Sequence, residues 1–158
     1  MKRVVMSLNT GNVTVHVPAH TDVLSMAGGK ALTDPSAAIK AALESPIGTA
    51  SFTEVVKQNI ENCPHSDPTA VIVVSDNTRP VSYNGESGIL WPIVQQLLDQ
   101  GVKGDHITIL VATGTHRALR GDEVKSMFDQ RALDVGCKVI NHDCKDESQL
   151  THLGRTSR

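Results

Sequence analysis

The chain has 158 residues, of which 39% are hydrophobic and 20% charged, with a formal charge of -2. That length suits one domain, and that balance excludes a disordered polyelectrolyte and lends no bulk-charge support to nucleic-acid binding. The longest apolar stretch, Ala70 to Val74, is far shorter than the roughly 18 residues that a membrane span needs, and no apolar leader opens the chain, so a cytoplasmic protein with no membrane partner is expected.

Near the N-terminus Val4, Met6 and Leu8 alternate with other residues, and Val13, Val15 and Val17 do so after the turn-rich run Asn9 to Asn12, predicting an antiparallel hairpin. Pro18 to Thr33 is weakly patterned. Asp34 and Pro35 supply an N-cap and a first-turn proline for a short helix that should end before Pro46. Ser51 and Glu54 have the spacing of a capping box, opening a second helix closed by Cys63 and Pro64. Ala70 to Val74 is a continuous β-branched run and reads as a buried parallel strand. Ile89, Leu90, Ile93, Val94, Leu97 and Leu98 recur at helical spacing, with Gly101 just past the helix end. Ile107 to Ala112 is a second buried strand, Asp122 to Phe128 a short helix, and Lys138 to Ile140 a third strand.

The order β-α-β-α-β, with connections long enough for right-handed crossovers, predicts an α/β fold. The expected architecture is a Rossmann-like three-layer domain with a parallel sheet, preceded by the hairpin and two helices, spanning residues 1–158 as one unit. Aromatic residues are only 3% of the chain, so the core is expected to rest on Val, Ile, Leu and Ala. Cys63, Cys137 and Cys144 form no even set and no CxxC pair, and are expected as free thiols.

In open parallel sheets, ligands bind beyond the carboxyl ends of the strands. The three predicted strand ends run into Ser75 to Pro80 (SDNTRP), Thr113 to Arg117 (TGTHR) and Asn141 to Asp143 (NHD), all polar and rich in ionisable groups. Arg79 suits a two-pronged grip on a carboxylate, and His116 suits general acid/base work. Each has a structural alternative: Asp76 can make an Asx turn and pair with Arg79, and His116 can be an exposed loop imidazole. Gly114 is expected to let the backbone turn sharply. His142 can serve equally to fix its own loop, and with Cys144 it is too sparse for a zinc site, so no metal ligand is assigned. His16, His20, His65, His106 and His152 fall on strand faces, loops or edges where exposure is expected. Nucleotide-binding glycine motifs, a nucleophile elbow and an HExxH helix are all absent.

SDNTRP at Ser75 to Pro80, ATGTHR at Ala112 to Arg117 and NHD at Asn141 to Asp143 together resemble, in order and spacing, the N-terminal domain of the nickel-dependent lactate racemase family. The resemblance implies isomerisation of a 2-hydroxy acid by hydride transfer to a nickel pincer nucleotide, through a planar keto acid that can be reduced from either face. It assigns His116 as one of two catalytic acid/base histidines, Arg79 as the holder of the substrate carboxylate and Asp76 as the aspartate beside it. Thr78, Gly114 and Thr115 are implied to contact the cofactor. Family members continue well past the position of Arg158, so LGRTSR at Leu153 to Arg158 reads as an interruption of the family pattern. The second histidine, the cofactor-tethering lysine and the nickel ligand are expected in a further C-terminal domain, and the isolated chain is expected to be inactive. Two other readings keep some of the same residues. A non-catalytic small-anion or nucleotide-binding module keeps Arg79 and the crevice, and a hydrolase using His116 lacks an accompanying nucleophile.

Overall fold

A computed structural model describes residues 1–25 and 28–156. Met26 and Ala27 of the weakly patterned stretch, and the last two residues of LGRTSR, lie outside the described residues. The chain divides into two units, Met1–Ala31 and Leu32–Arg158.

The first unit is a hairpin. Strand β1 (Lys2–Leu8) pairs antiparallel with β2 (Gly11–Val17), placing Val4 opposite Val15 and Met6 opposite Val13. Branched residues in a two-periodic run favour this pairing, and a left-handed glycine, Gly11, starts the return strand.

The second unit opens with two helices. In α1 (Pro35–Glu44) the Asp34 side chain accepts the Ala37 N–H at 2.9 Å, and Pro35 occupies the first turn, where no backbone donor is needed. In α2 (Phe52–Glu61) the capping box forms in both directions: Ser51 Oγ accepts the Glu54 N–H at 3.2 Å, and Glu54 accepts the Ser51 N–H at 3.0 Å. Strand β3 (Ala70–Ser75), helix α3 (Leu90–Asp99), strand β4 (Ile107–Ala112), helices α4 (Gly121–Met127) and α5 (Gln130–Asp134) and strand β5 (Lys138–Asn141) follow. The sheet order is β3-β4-β5, parallel throughout, giving the expected α/β unit with β4 in the centre. The sequence pattern missed α5, which is barely more than one turn and too short to show a helical period.

Ile107, Ile109 and Val111 of β4 are fully buried, and they share a core with Val94 and Leu90 of α3, Ala132 of α5 and Val56 of α2. Each such buried aliphatic side chain contributes about 1.5–3 kcal/mol. Two of the chain's few aromatics join this aliphatic core: Phe128 is fully buried and its ring meets Tyr83 with centroids 5.8 Å apart. Strand β3 differs from expectation. Only Val74 is buried, whereas Val71 and Val73 are exposed, as is Ile140 of β5 on the same side of the sheet. Successive crossovers from β3 to β4 to β5 advance in one direction, and right-handed connections of that kind place their helices on one face; α3 and α5 pack against each other accordingly.

Cys63, Cys137 and Cys144 are free, and burial raises the Cys137 thiol above its ordinary pKa. Among the described residues no helix is long and apolar enough to cross a membrane.

Candidate active site

Parallel register sets the site. Ser75 of β3 lies opposite Ala112 of β4, so the chain leaves both strands side by side, Asp76 from one and Thr113 from the other. Each then turns. Past β3, the Arg79 N–H donates to the Asp76 carbonyl at 3.2 Å, and the Thr78 N–H donates to Asp76 Oδ1 at 3.2 Å, an Asx turn laid over a β-turn. Past β4, the His116 N–H donates to the Thr113 carbonyl at 3.0 Å, with Gly114 at φ +58, a conformation that favours glycine. A Cβ on Gly114 would meet nothing within 4 Å, so the loop is open on that side.

The two turns meet through Asp76 and His116, whose Oδ2 and Nδ1 are 2.5 Å apart. Asp76 is buried, and its other oxygen accepts the Thr78 hydroxyl at 2.6 Å. The Thr78 hydroxyl first, and His116 next, hold the Asp76 carboxyl down at about 2. A carboxylate so fixed selects the Nδ1–H tautomer of a neutral imidazole and leaves Nε2 as the free acceptor. His116 is exposed, so that nitrogen can meet a ligand.

Arg79 is exposed on the same turn as Asp76, and among the described residues its side chain has no ion-pair partner. The Asx turn considered for Asp76 is present; the Asp76 to Arg79 pairing is not, because both carboxylate oxygens are taken by Thr78 and His116. Thr78 spends its hydroxyl proton on Asp76, while Gly114 and Thr115 are exposed in the His116 turn. His142 contributes through its backbone: its N–H donates to the Val111 carbonyl at 3.0 Å, and its carbonyl accepts the buried Thr113 hydroxyl. His106 departs from the expectation of exposure. It is half-buried, with Nδ1 out of solvent and unpartnered among the described residues, because it sits in the short 3-10 turn feeding β4.

Four supporting residues were given no role by the sequence reading, although two of them, Thr113 and Asn141, lie in its TGTHR and NHD stretches. The Tyr83 hydroxyl meets both the Ser75 N–H, at 3.0 Å, and Ser75 Oγ, at 2.9 Å, just before Asp76. The Asn141 side chain accepts the Leu119 N–H at 2.9 Å and donates to the Leu119 carbonyl at 3.3 Å, pinning the far end of the His116 loop. Thr113 ties the ends of β4 and β5 together. Glu123 takes both Arg117 nitrogens, Nη1 at 2.7 Å and Nη2 at 2.6 Å. Of the other two, Glu123 left a signal as an acidic residue in the first turn of the helix after TGTHR, and Tyr83 left none.

The fold and site together define an α/β domain with its polar cluster at the carboxyl edge of a parallel sheet. The chain matches the lactate racemase N-terminal domain over residues 8–158 and belongs to that family. It is 31% identical over 118 residues to a lactate racemase of Thermoanaerobacterium thermosaccharolyticum, a stretch covering 73% of this chain and 24% of that protein. It is 29% identical over 119 residues to a lactate racemase of Lactiplantibacillus plantarum, covering 74% of this chain and 24% of that protein. The solved lactate racemase apoprotein from T. thermosaccharolyticum superposes with a TM-score of 0.64 at 21% identity, over 93% of this chain and 31% of that one, a likeness of fold. The chain thus spans about a quarter of the length of these curated relatives, at 24%.

The implied nickel group can be tested against the residues present. Among the described residues no three His, Cys, Asp or Glu side chains gather to hold a bare metal ion, and the imidazole of the cluster is tied through Nδ1 to Asp76, so the cluster supplies no ligand set of its own. What they offer is a proton acceptor and a cation.

Proposed function

We propose that this chain is the substrate-handling part of a lactate racemase-type isomerase acting on lactate or a related 2-hydroxy acid. His116 is the acid/base for one face of the substrate, Asp76 orients it and Arg79 anchors the carboxylate. The observation that supports this reading best is the short Asp76 to His116 hydrogen bond at the carboxyl edge of the sheet.

The proton chemistry follows from the geometry. With Nδ1–H held by Asp76, Nε2 takes the proton of the C2 hydroxyl as that carbon becomes a carbonyl, and returns it when the carbonyl is reduced. The fixed Asp76 charge steadies the imidazolium in between. A guanidinium on the substrate carboxylate fixes which face is presented to His116. Inverting C2 requires an equivalent base on the opposite face, which this reading assigns to the remainder of the protein. The nickel pincer nucleotide belongs to the same reading as the hydride-accepting group, with its tether and metal ligand also in that remainder, and with Thr78, Gly114 and Thr115 as its contacts from this chain. The C-terminal domain is therefore the necessary partner, the isolated chain does not turn over, and the location is cytoplasmic.

The test is interconversion of D- and L-lactate, followed by chiral chromatography, in the full-length cofactor-loaded protein, its His116→Ala variant and the 158-residue chain alone. Activity in the first, a loss of about a hundredfold or more in the second and none in the third is the expected pattern. Unchanged turnover in His116→Ala overturns the catalytic assignment. Lactate binding by the isolated chain with no racemisation in any form would indicate a small-anion module instead.

A further inference from the structure

We infer that Glu123 is a positioning residue for the Asp76–His116 pair, gripping the residue that follows each member. Its Oε1 accepts from Arg117 Nη2 at 2.6 Å and from Asn77 Nδ2 at 3.3 Å, and its Oε2 accepts from Arg117 Nη1 at 2.7 Å and from the Arg120 N–H at 2.8 Å. Asn77 is the next residue after Asp76, and Arg117 the next after His116. The Arg120 contact also anchors the carboxylate to the start of α4, where the exposed backbone donors of the first turn favour negative charge.

An exposed Arg–Glu pair ordinarily contributes little. This one is two-pronged, spans two loops, and has a carboxylate side chain only 25% exposed. Arg117 foremost, then the Arg120 N–H, hold Glu123 down at about 2, so it carries its charge throughout the physiological range. Its effect is geometric. A 2.5 Å contact between Asp76 and His116 demands that two separate turns be held to within tenths of an ångström, and Glu123 braces both from one fixed point. A second consequence concerns Arg117 and Arg79: Arg117 has both terminal nitrogens committed to Glu123, whereas Arg79 has no ion-pair partner among the described residues and can take a substrate carboxylate.

The inference rests on the reading of His116 as the acid/base only for its kinetic consequence; the geometric part is measured without turnover. In the 158-residue chain, ¹⁵N NMR of the His116 ring reports the tautomer. The wild type is expected to hold Nδ1–H. Glu123→Ala is expected to give a mixture with Nε2–H while the backbone signals of Ile109 and Val94 stay in place, and Glu123→Gln, which keeps one acceptor oxygen, to fall between. Arg117→Lys, which keeps the charge but loses the fork, provides the same reading if Glu123→Ala does not fold. In the full-length loaded protein Glu123→Ala should lower kcat roughly tenfold to a hundredfold with KM changed less than about twofold. Wild-type tautomer populations in Glu123→Ala, or in Arg117→Lys where Glu123→Ala is unfolded, overturn the inference. A shifted tautomer in a protein whose turnover ignores His116→Ala would leave the brace standing and overturn the acid/base reading instead.

Discussion

Asp76 and His116 share a 2.5 Å hydrogen bond but not an environment: the aspartate side chain is 5% exposed and the imidazole 53%. The buried member is the one with all its oxygens satisfied by protein, and the exposed member is the one with a nitrogen to spare. This division suits a fixed charge behind a working base.

Replacing Asp76 by Asn separates charge from shape. The Thr78 N–H and hydroxyl both donate toward Oδ1, so the amide oxygen takes that position and the amide nitrogen faces His116. Nδ1 must then accept, and the imidazole changes to the Nε2–H tautomer, which cannot take a substrate proton. The expected result in the full-length protein is a fall in kcat on the order of 10³ or more, with ¹⁵N NMR of the ring reporting the tautomer change.

Arg79 should divide binding from folding. Arg79→Ala is expected to raise KM for lactate about 10-fold to 100-fold, the usual consequence of losing a charged hydrogen bond. Arg79→Lys should fall in between, because an ammonium cannot make the forked contact. The unfolding midpoint in urea should barely move for either variant, since among the described residues no ion pair involves this side chain.

Acid sensitivity follows from two depressed carboxyls. Asp76 lies at about 2 against an ordinary 3.8, held by Thr78 and then His116, and Glu123 lies at about 2 against 4.5, held by Arg117 and then the Arg120 N–H. A carboxyl whose folded pKa is lowered binds fewer protons when folded than when unfolded, so its stabilisation is full above the unfolded value and is lost as pH falls toward the folded one. Urea midpoints should therefore lose these contributions progressively between about pH 5 and pH 2. Both Asp76→Asn and Glu123→Gln should flatten that decline, and a slope equal to that of the wild type would contradict the assigned contacts.

Two glycines should respond differently to alanine. At Gly104 an added Cβ would lie 1.8 Å from the Val135 carbonyl oxygen, a backbone atom that cannot move aside without shifting the end of α5. Gly104→Ala is expected to cost about 3 kcal/mol or more. At Gly114 there is open space, and the strain comes only from φ +58, so Gly114→Ala should cost about 1–2 kcal/mol. Chemical denaturation of both variants checks the order.

Much of the local structure was legible in the residues themselves. Asp34 with Pro35, and Ser51 with Glu54, mark helix starts because a cap is a contact over three residues, and the run Ala70 to Val74 marks a strand because branched side chains suit the extended backbone. The short α5 was not legible, since five residues cannot display a 3.6-residue period. The exposure of Val71 and Val73 was not legible either, because which sheet face receives helices depends on the direction of two successive crossovers.

The sequence by itself determined that ionisable residues follow each of the three strands, and with the strand order it placed Asp76, Arg79 and His116 at one edge of a parallel sheet. The tertiary structure decided which of them touch. Register between β3 and β4, with Ser75 opposite Ala112, brings Asp76 and His116 together across a sequence separation of 40. It also sets Glu123 under both loops and makes Asn141 close on Leu119. No local pattern encodes such contacts, because they arise from the relative placement of strands whose pairing is set by packing of the whole sheet against its helices.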